Sequence, residues 1–272
     1  MQKTILITGS TDGIGLETAK TLVTQGHHVL IHGRSSAKLK AAKKTLAELS
    51  GGKDVESYLA DLSKSNEVKA LAQAVAKRHT KLDVLINNAG VFKTPNPITE
   101  EGIDVRFMVN TIAPYLLTQE LLPLMDASSR VVNLSSAAQS PVDENALTGQ
   151  IRISDDFTAY AQSKLALTMW SRSLGESLKD KGPIIIAVNP GSLLATKMVK
   201  KGFNMPGKDI SIGSDILVRA SLSDEFSSAS GLYFDNDLEQ FSSPHADALD
   251  QKICEGVVRS ITEILGETIQ ST

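Results

Sequence analysis

Short apolar runs alternate along the chain with stretches of helical periodicity, and the alternation predicts a succession of strands and helices. Ile5-Leu6-Ile7 is the first run, and from Ile14 through Thr24 the spacing turns helical. Ile14, Thr18 and Leu22 share one face of that helix, and Gln25-Gly26 stops it. Val29-Leu30-Ile31 predicts a second strand, ending at His32-Gly33-Arg34-Ser35, before a helix over 37–49 closed by Ser50-Gly51-Gly52. A third strand over 56–59 stops at Asp61, and a helix over 64–77 follows with Ser63 as its N-cap. Val84-Leu85-Ile86 ends in Asn87-Asn88-Ala89-Gly90. The stretch 104–122 is predicted helical, with Pro114 bending it or exposing a carbonyl near Asn110. A fifth strand over 130–134 ends in Ser135-Ser136, and residues 137–156 lapse into a polar inserted loop. A long helix over 157–179 leads to Ile184-Ile185-Ile186-Ala187-Val188 and the turn Asn189-Pro190-Gly191. Residues 192–212 mix glycine, lysine and proline with isolated apolar positions and predict a mobile covering segment. A helix over 213–223, a strand over 232–234 and a helix over 247–265 complete the chain.

Strands alternating with helices are repeated βαβ units around a parallel sheet, so the fold class is α/β, a doubly wound parallel sheet with helices on both faces. The 272 residues, 41% hydrophobic and 22% charged, suffice for one core or two. No internal repeat or dividing linker is present, so a single domain is expected, spanning 1–272. A net charge of -3 without a basic block gives nucleic acid no purchase. The one cysteine, Cys254, excludes an internal disulfide framework and suits a reducing compartment. Five scattered histidines show no metal-ligand spacing along the chain, so no metal is expected. No basic-then-apolar leader opens the sequence, and no apolar run approaches the ~20 residues that span a bilayer. The expected setting is cytoplasmic.

The stretch from Thr8 to Gly15 organises these elements. A strand that turns through glycines into a helix N-terminus makes an anion site, because free backbone N–H groups and the helix dipole point into the turn. Gly9 permits the tight turn, Gly13 the close approach of a phosphate, and Gly15 the packing of helix on strand. The spacing Gly-x-x-x-Gly-x-Gly differs from the common dinucleotide fingerprint, and three glycines alone also fit a tight surface turn. In an open parallel sheet ligands bind at the carboxyl ends of the strands, and the polar clusters named above all fall at such ends. A further cluster, Tyr160-Ala161-Gln162-Ser163-Lys164, opens the long helix. Tyr160 and Lys164 are an i, i+4 pair on one face, where an ammonium lowers the pKa of a neighbouring phenol. Such a phenol donates or accepts a proton near neutrality. A half-buried tyrosine beside a solvated lysine is the alternative.

Taken together, Thr8-Gly-x-x-x-Gly-Ile-Gly15, Asp61-Leu62, Asn87-Asn88-Ala89-Gly90, Asn110, Ser136, Tyr160-x-x-x-Lys164 and Pro190-Gly191 resemble the short-chain dehydrogenases/reductases, in order and in spacing, over residues 3–196. The resemblance implies a Rossmann-like domain, a nicotinamide dinucleotide and a homodimer or homotetramer. It implies Tyr160 as the general acid or base and Lys164 as the group that lowers its pKa and bonds the nicotinamide ribose. Ser136 would polarise the substrate carbonyl, with Ser135 the competing choice. Asn110 would position a water feeding protons to the lysine; otherwise it is a buried asparagine satisfying backbone at the proline bend. Gly9, Ser10, Thr11, Asp12, Gly13, Ile14 and Gly15 would form the phosphate turn. Asp61 and Leu62 would flank the adenine, unless Asp61 merely caps the next helix. Asn87, Ala89 and Gly90 would run along the adenosine ribose, or only close the fourth strand. Pro190, Gly191 and Thr196 would serve the nicotinamide, although Thr196 lies one residue further past Pro190 than the family commonly has. At the end of the second strand Gly33 stands where an NAD site wants a carboxylate, and Arg34 follows, so NADP(H) is expected over NAD(H). Asp12 departs from this, since many NADP-using relatives carry a basic residue there.

The long interval from Ser136 to Tyr160 and the C-terminal helix resemble the branch of retinol dehydrogenases and protochlorophyllide reductase-like enzymes. The loop near 140–155 and the segment 192–212 would frame the substrate mouth. Leu193, Leu194, Met198, Val199, Phe203 and Met205 would line an apolar pocket for a lipophilic aldehyde or ketone, or else cap the core. Carbonyl reduction, reversible to alcohol oxidation, is the expected activity. A catalytically decayed dinucleotide sensor, and enone reduction or epimerisation on the same scaffold, are the competing readings.

Overall fold

The computed structural model describes residues 1–52, 55–204 and 206–266. Its strands are β1 (Thr4–Ile7), β2 (His28–Gly33), β3 (Glu56–Leu59), β4 (Val84–Asn87), β5 (Arg130–Leu134), β6 (Ile184–Asn189), β7 (Tyr233–Asp235) and β8 (Gln240–Ser242). They form one sheet in the order β3-β2-β1-β4-β5-β6-β7-β8, parallel throughout except for the antiparallel β7–β8 pair. Strand order reverses at β1, whose neighbours are β2 and β4, which opens a crevice above their carboxyl ends.

The helices are α1 (Gly13–Thr24), α2 (Ser36–Leu49), α3 (Ser65–Arg78), α4 (Val105–Phe107), α5 (Ala113–Leu121), α6 (Glu144–Leu147), α7 (Asp156–Ser177), α8 (Lys197–Phe203), α9 (Ser211–Leu222) and α10 (Gln251–Ile264). Because side chains alternate across a strand, Ile5 and Ile7 pack on one face with α1, α2 and α9, while Leu6 packs on the other with α3, α5, α7 and α10. Both faces are covered, which is why the central strands read as unbroken apolar runs. Each fully buried Leu or Ile contributes about 1.5–3 kcal/mol.

The structure departs from the sequence expectation in six places. The helix expected from Ser63 is capped at Lys64 without a side-chain bond, because the Ser63 hydroxyl donates to Asp61 at 2.8 Å instead. Between α4 and α5 the chain widens into a π-turn, Met108–Ile112, in which the Ala113 N–H bonds to the Met108 carbonyl five residues back. Pro114 has no N–H for the Asn110 carbonyl, and the wider turn absorbs that missing donor. Residues 137–156 carry α6, and 192–212 carry α8, capped by Thr196. The last helix breaks at extended Asp250 into a 3-10 turn, Ala246–Leu249, and α10. Finally β8 was not expected: two of its three residues are exposed, so little apolar periodicity marks it.

Candidate active site

A cavity of about 740 Å³ lies over the carboxyl ends of the strands. Gly9, Thr11, Asp12, Gly13 and Ile14 line its floor, Arg34, Asp61 and Leu62 one end, and Ser136, Tyr160 and Lys164 the other. The glycine turn is built by long-range bonds. Thr8 Oγ1 accepts from the N–H groups of Asn88 and Ala89, each at 3.0 Å, and Asn88 Nδ2 donates to the Thr8 carbonyl at 2.8 Å. Gly9 sits at φ +65 so close to Ala89 that a Cβ would lie 2.9 Å from the Ala89 Cα. Gly13, at φ +59, has only Thr196 Cγ2 near its Cβ direction, at 3.9 Å, and so offers bare backbone to the cavity at the start of α1. A cradle of that kind fits the pyrophosphate of a dinucleotide.

Ser10, Gly15 and Asn87, expected among the cofactor residues, do not line the cavity. Ser10 is fully buried, its hydroxyl donating to the Ile7 carbonyl at 2.9 Å. Gly15 packs against Asn88 and the Gly9 carbonyl, as a helix-on-strand glycine must. Asn87 donates to Asn133 Oδ1 at 2.8 Å inside the core, and Asn88 takes the cavity wall in its place. Ala89, Gly90, Pro190, Gly191 and Thr196 do line it.

At the catalytic end, Tyr160 and Lys164 project from the first turns of α7. Asp155 caps that helix, accepting from the Thr158 N–H at 2.7 Å, and buried Arg106 pins it through ion pairs with Asp104 and Asp156. Ser136 lines the cavity beside the Tyr160 phenol, and its hydroxyl accepts from the Ala138 N–H at 3.1 Å. Ser135 points elsewhere, its hydroxyl 2.6 Å from Thr168 Oγ1 and 3.3 Å from the Lys164 carbonyl. Lys164 is 4% exposed, and its Nζ donates to the Leu134 carbonyl at 2.6 Å. Burial lowers its pKa to about 8. The pKa of the Tyr160 phenol is raised, not lowered: burial dominates, and only the neighbouring Ser136 side chain acts against it. This corrects the expectation from the i, i+4 pairing: the Lys164 Nζ lies 5.7 Å from the Tyr160 ring centroid while donating to the Leu134 carbonyl, and burial of the phenol outweighs its neighbours. The Asn110 side chain is spent on structure, accepting from the Val91 N–H at 2.8 Å and donating to the Val91 carbonyl and Ser163 Oγ, each at 2.9 Å.

At the other end, Asp61 both lines the cavity and accepts from the Ser63 N–H at 3.0 Å, so its two candidate roles coexist. Its carboxyl is held below the ordinary value by those Ser63 bonds and by the nearby Arg34 guanidinium, which together outweigh burial. Asp12 caps α1 by accepting from the Gly13 N–H at 2.9 Å. It also pairs with Lys197 of α8 and lies 3.9 Å from Lys38 of α2.

Leu193, Leu194, Met198 and Val199 line the cavity beside Phe92 and Phe157, and Phe92 stacks edge-on to Tyr160 at 5.2 Å. Leu194 also caps the core at 2% exposure. Met205 and the side chain of Phe203 lie outside the described residues. Residues 140–155 do not frame the mouth; among the described residues none of them lines the cavity. That loop packs away from it, with Ala146 and Leu147 buried and Glu144 accepting from Ser260 of α10 at 2.8 Å.

Three groups that build the site went unread in the sequence. His32 accepts from the Gly9 N–H at 3.1 Å. Asp235 and Asp237 hold the Asn189 amide at 2.8 and 3.0 Å, and Asp237 also takes the Ser192 N–H at 2.9 Å, fixing the Pro190-Gly191 turn. Phe92 supplies the aromatic wall. None carries a local motif, because each acts across the sheet.

Residues 3–206 match the family profile described as short chain dehydrogenase. Retinol dehydrogenase 13 of Mus musculus is 30% identical over 263 residues, covering 90% of this chain and 79% of that protein. The crystal structure of an uncharacterised Mycobacterium paratuberculosis protein superposes with a TM-score of 0.81 at 25% identity, covering 99% of this chain and 96% of that one. A short chain dehydrogenase from Escherichia coli CFT073, solved in complex with NADPH, gives a TM-score of 0.70 at 27% identity, covering 86% and 96%. No helix among the described residues is long and apolar enough to cross a membrane. The fold, the glycine turn and these likenesses agree: the chain is an oxidoreductase of the short-chain dehydrogenase/reductase family, in its retinol dehydrogenase branch.

Proposed function

We propose that this protein interconverts an aldehyde or ketone and its alcohol with NADP(H). The observation that carries the reading is that Ser136, Tyr160 and buried Lys164 line one cavity together, with Arg34 on the same cavity at the end of β2. Gly9, Thr11, Asp12, Gly13 and Ile14 would hold the dinucleotide, with Asp61, Leu62, Ala89 and Gly90 along its adenosine and Pro190, Gly191 and Thr196 at its nicotinamide. The nicotinamide held there would supply the hydride. Ser136 donates a hydrogen bond to the substrate oxygen and stabilises the charge that builds there. Tyr160 hands its phenolic proton to the same oxygen, or takes it back in oxidation. Lys164, whose pKa of about 8 leaves it largely charged near neutrality, stabilises the phenolate left behind. Asn110 supports the proton path through its backbone carbonyl, since its side chain is committed to Val91 and Ser163.

Preference for NADP(H) over NAD(H) rests on two supports. A Cβ at Gly33 would lie 2.5 Å from Thr11 Cγ2, so the acidic residue of an NAD site has no room there. Arg34, Lys38 and Lys197 line the same cavity, and the two lysines offset Asp12. Phe92, Phe157, Met198 and Val199 favour a lipophilic substrate. A single domain, a homodimer or homotetramer and a cytoplasmic setting accompany the reading from the family and the composition. The test is cofactor oxidation over a panel of aldehydes, ketones and quinones, with NADPH and NADH side by side. Turnover of lipophilic carbonyls with NADPH is expected; none with either cofactor, alongside tight NADPH binding, would favour a sensor.

A further inference from the structure

Far from the cavity, the fold gathers three side chains that the sequence keeps apart. His28 opens β2, Glu56 opens β3 and His79 follows the last residue of α3. His28 Nε2 lies 3.2 Å from Glu56 Oε1, and His79 Nε2 lies 3.2 Å from Glu56 Oε2. One ligand atom from each falls within 4.8 Å of the other two, and the imidazole rings stand 5.6 Å apart. Spacing along the chain gave no hint of this, because three separate elements contribute.

We propose that His28, Glu56 and His79 form a binding site for Zn²⁺ at the edge of the sheet. Two imidazole nitrogens and one carboxylate oxygen are a zinc donor set that leaves a fourth position for water. Ligands 2.0–2.1 Å from a tetrahedral Zn²⁺ lie roughly 3.3 Å from one another; His28 Nε2 already stands at that distance from Oε1, and His79, now 3.2 Å from Oε2, would turn toward the same ion. Mg²⁺ and Ca²⁺ prefer oxygen donors and fit a site with two nitrogens poorly. The three side chains are 32%, 11% and 13% exposed, open enough for an ion to enter and packed enough to hold their rotamers.

The site has a built-in competitor. Arg78 Nε lies 3.1 Å from Glu56 Oε2, and the Tyr58 hydroxyl donates to the same oxygen at 2.8 Å. Arg78 is 59% exposed, so its guanidinium can withdraw into water at small cost. Tyr58 then steadies the carboxylate from outside the coordination shell while the other oxygen faces the metal. Each imidazole must turn its Nε2 lone pair to the ion and carry its proton on Nδ1. Bound this way, the ion ties edge strand β3 to β2 and to the end of α3, and takes no part in the reaction.

The probe is CoCl₂, whose visible absorption reports its coordination, titrated into untagged, chelator-treated protein. One equivalent is expected to bind saturably, to be displaced by ZnCl₂, and to weaken roughly 100-fold or more in Glu56→Gln and His79→Ala. Arg78→Gln removes the competitor and is expected to tighten binding. ZnCl₂ is expected to raise the melting temperature of the wild type but not of Glu56→Gln, and MgCl₂ to leave both unchanged. Far-UV circular dichroism checks each fold; if His79→Ala does not fold, His28→Ala, at the most exposed ligand, carries the same test. Absence of saturable binding at one equivalent, or binding unaltered in the histidine variants, overturns the proposal.

Discussion

The backbone N–H of Gly9 donates to Nδ1 of His32 at 3.1 Å, joining the glycine turn to the end of β2. Since Nδ1 accepts, the ring proton resides on Nε2, which lies 3.1 Å from the Ala60 carbonyl and donates to it. One neutral imidazole thus fixes the ends of β1, β2 and β3 around the cavity floor. Burial lowers its pKa from 6.5 to about 4. A proton taken up on Nδ1 costs the native state its Gly9 bond, whereas the unfolded chain protonates at the ordinary value. Stability is therefore present above pH 6.5 and falls as pH drops toward 4, by about 3 kcal/mol from this group. His32→Gln, whose amide can still accept from Gly9, should flatten the slope in urea denaturation measured across that window. Parallel curves for variant and wild type would show that His32 does not set it.

Ser135 and Ser136 are neighbours in sequence with opposite surroundings, and their variants should separate. Tyr160→Phe is expected to lower turnover by roughly 10²–10⁴ while leaving NADPH affinity in place. Ser136→Ala is expected to lose roughly 10²–10³ in kcat with little effect on melting temperature. Ser135→Ala removes a buried bond to Thr168 and should cost about 1 kcal/mol of stability while sparing kcat. Steady-state kinetics beside thermal melts decide the assignment, and a reversed pattern would move the substrate contact to Ser135.

What the sequence disclosed was local, and what it withheld was long-range. The run Ile5-Leu6-Ile7, the glycines after it and the i, i+4 pair Tyr160/Lys164 are legible because strand period, turn chemistry and helix period act within a few residues. The order of strands through β6 followed from the same periodicities. The direction of the Tyr160 shift was misread because spacing shows who shares a helix face but not what buries it. Asn88 rather than Asn87 lines the cavity because one step along a strand end moves a side chain from core to cavity. The 140–155 loop was assigned to the mouth by its length alone, while Glu144 is drawn to Ser260 more than a hundred residues away. His32, Asp235 and Asp237 were invisible for the same reason, since each bonds to a segment remote in sequence.

At the cofactor end, Arg34→Ala should remove a charge-assisted contact to a 2′-phosphate, worth about 1.5–3 kcal/mol. The KM for NADPH should rise roughly 10–100-fold, and that for NADH should change little. Gly33→Asp should not by itself create an NADH enzyme, because the new Cβ meets Thr11 Cγ2 at 2.5 Å. Paired with Thr11→Gly, which clears that methyl, it should shift the preference toward NADH. Equal effects of Arg34→Ala on both cofactors would refute the phosphate contact.

Lys164 makes the cost of the site measurable. Its ordinary pKa of 10.5 falls to about 8 because the ammonium is buried. Below pH 8 both native and unfolded chains carry the charge, and the native state bears the full cost of desolvating it. Between 8 and 10.5 the native state has released a proton that the unfolded chain still holds, so stability rises with pH; above 10.5 the gain levels off. The interval corresponds to about 3 kcal/mol. Lys164→Met has no proton to release and lacks this gain, although it also leaves the Leu134 carbonyl without its donor at every pH. The stability of wild type relative to Lys164→Met should therefore grow by about that amount from pH 8 to 10.5, whatever the offset between them at pH 7. Isothermal denaturation at stepped pH reads this difference directly. A constant offset across the range would mean that Lys164 is either not buried as a cation or not titrating there, and the proposed support of the Tyr160 phenolate would lose its basis.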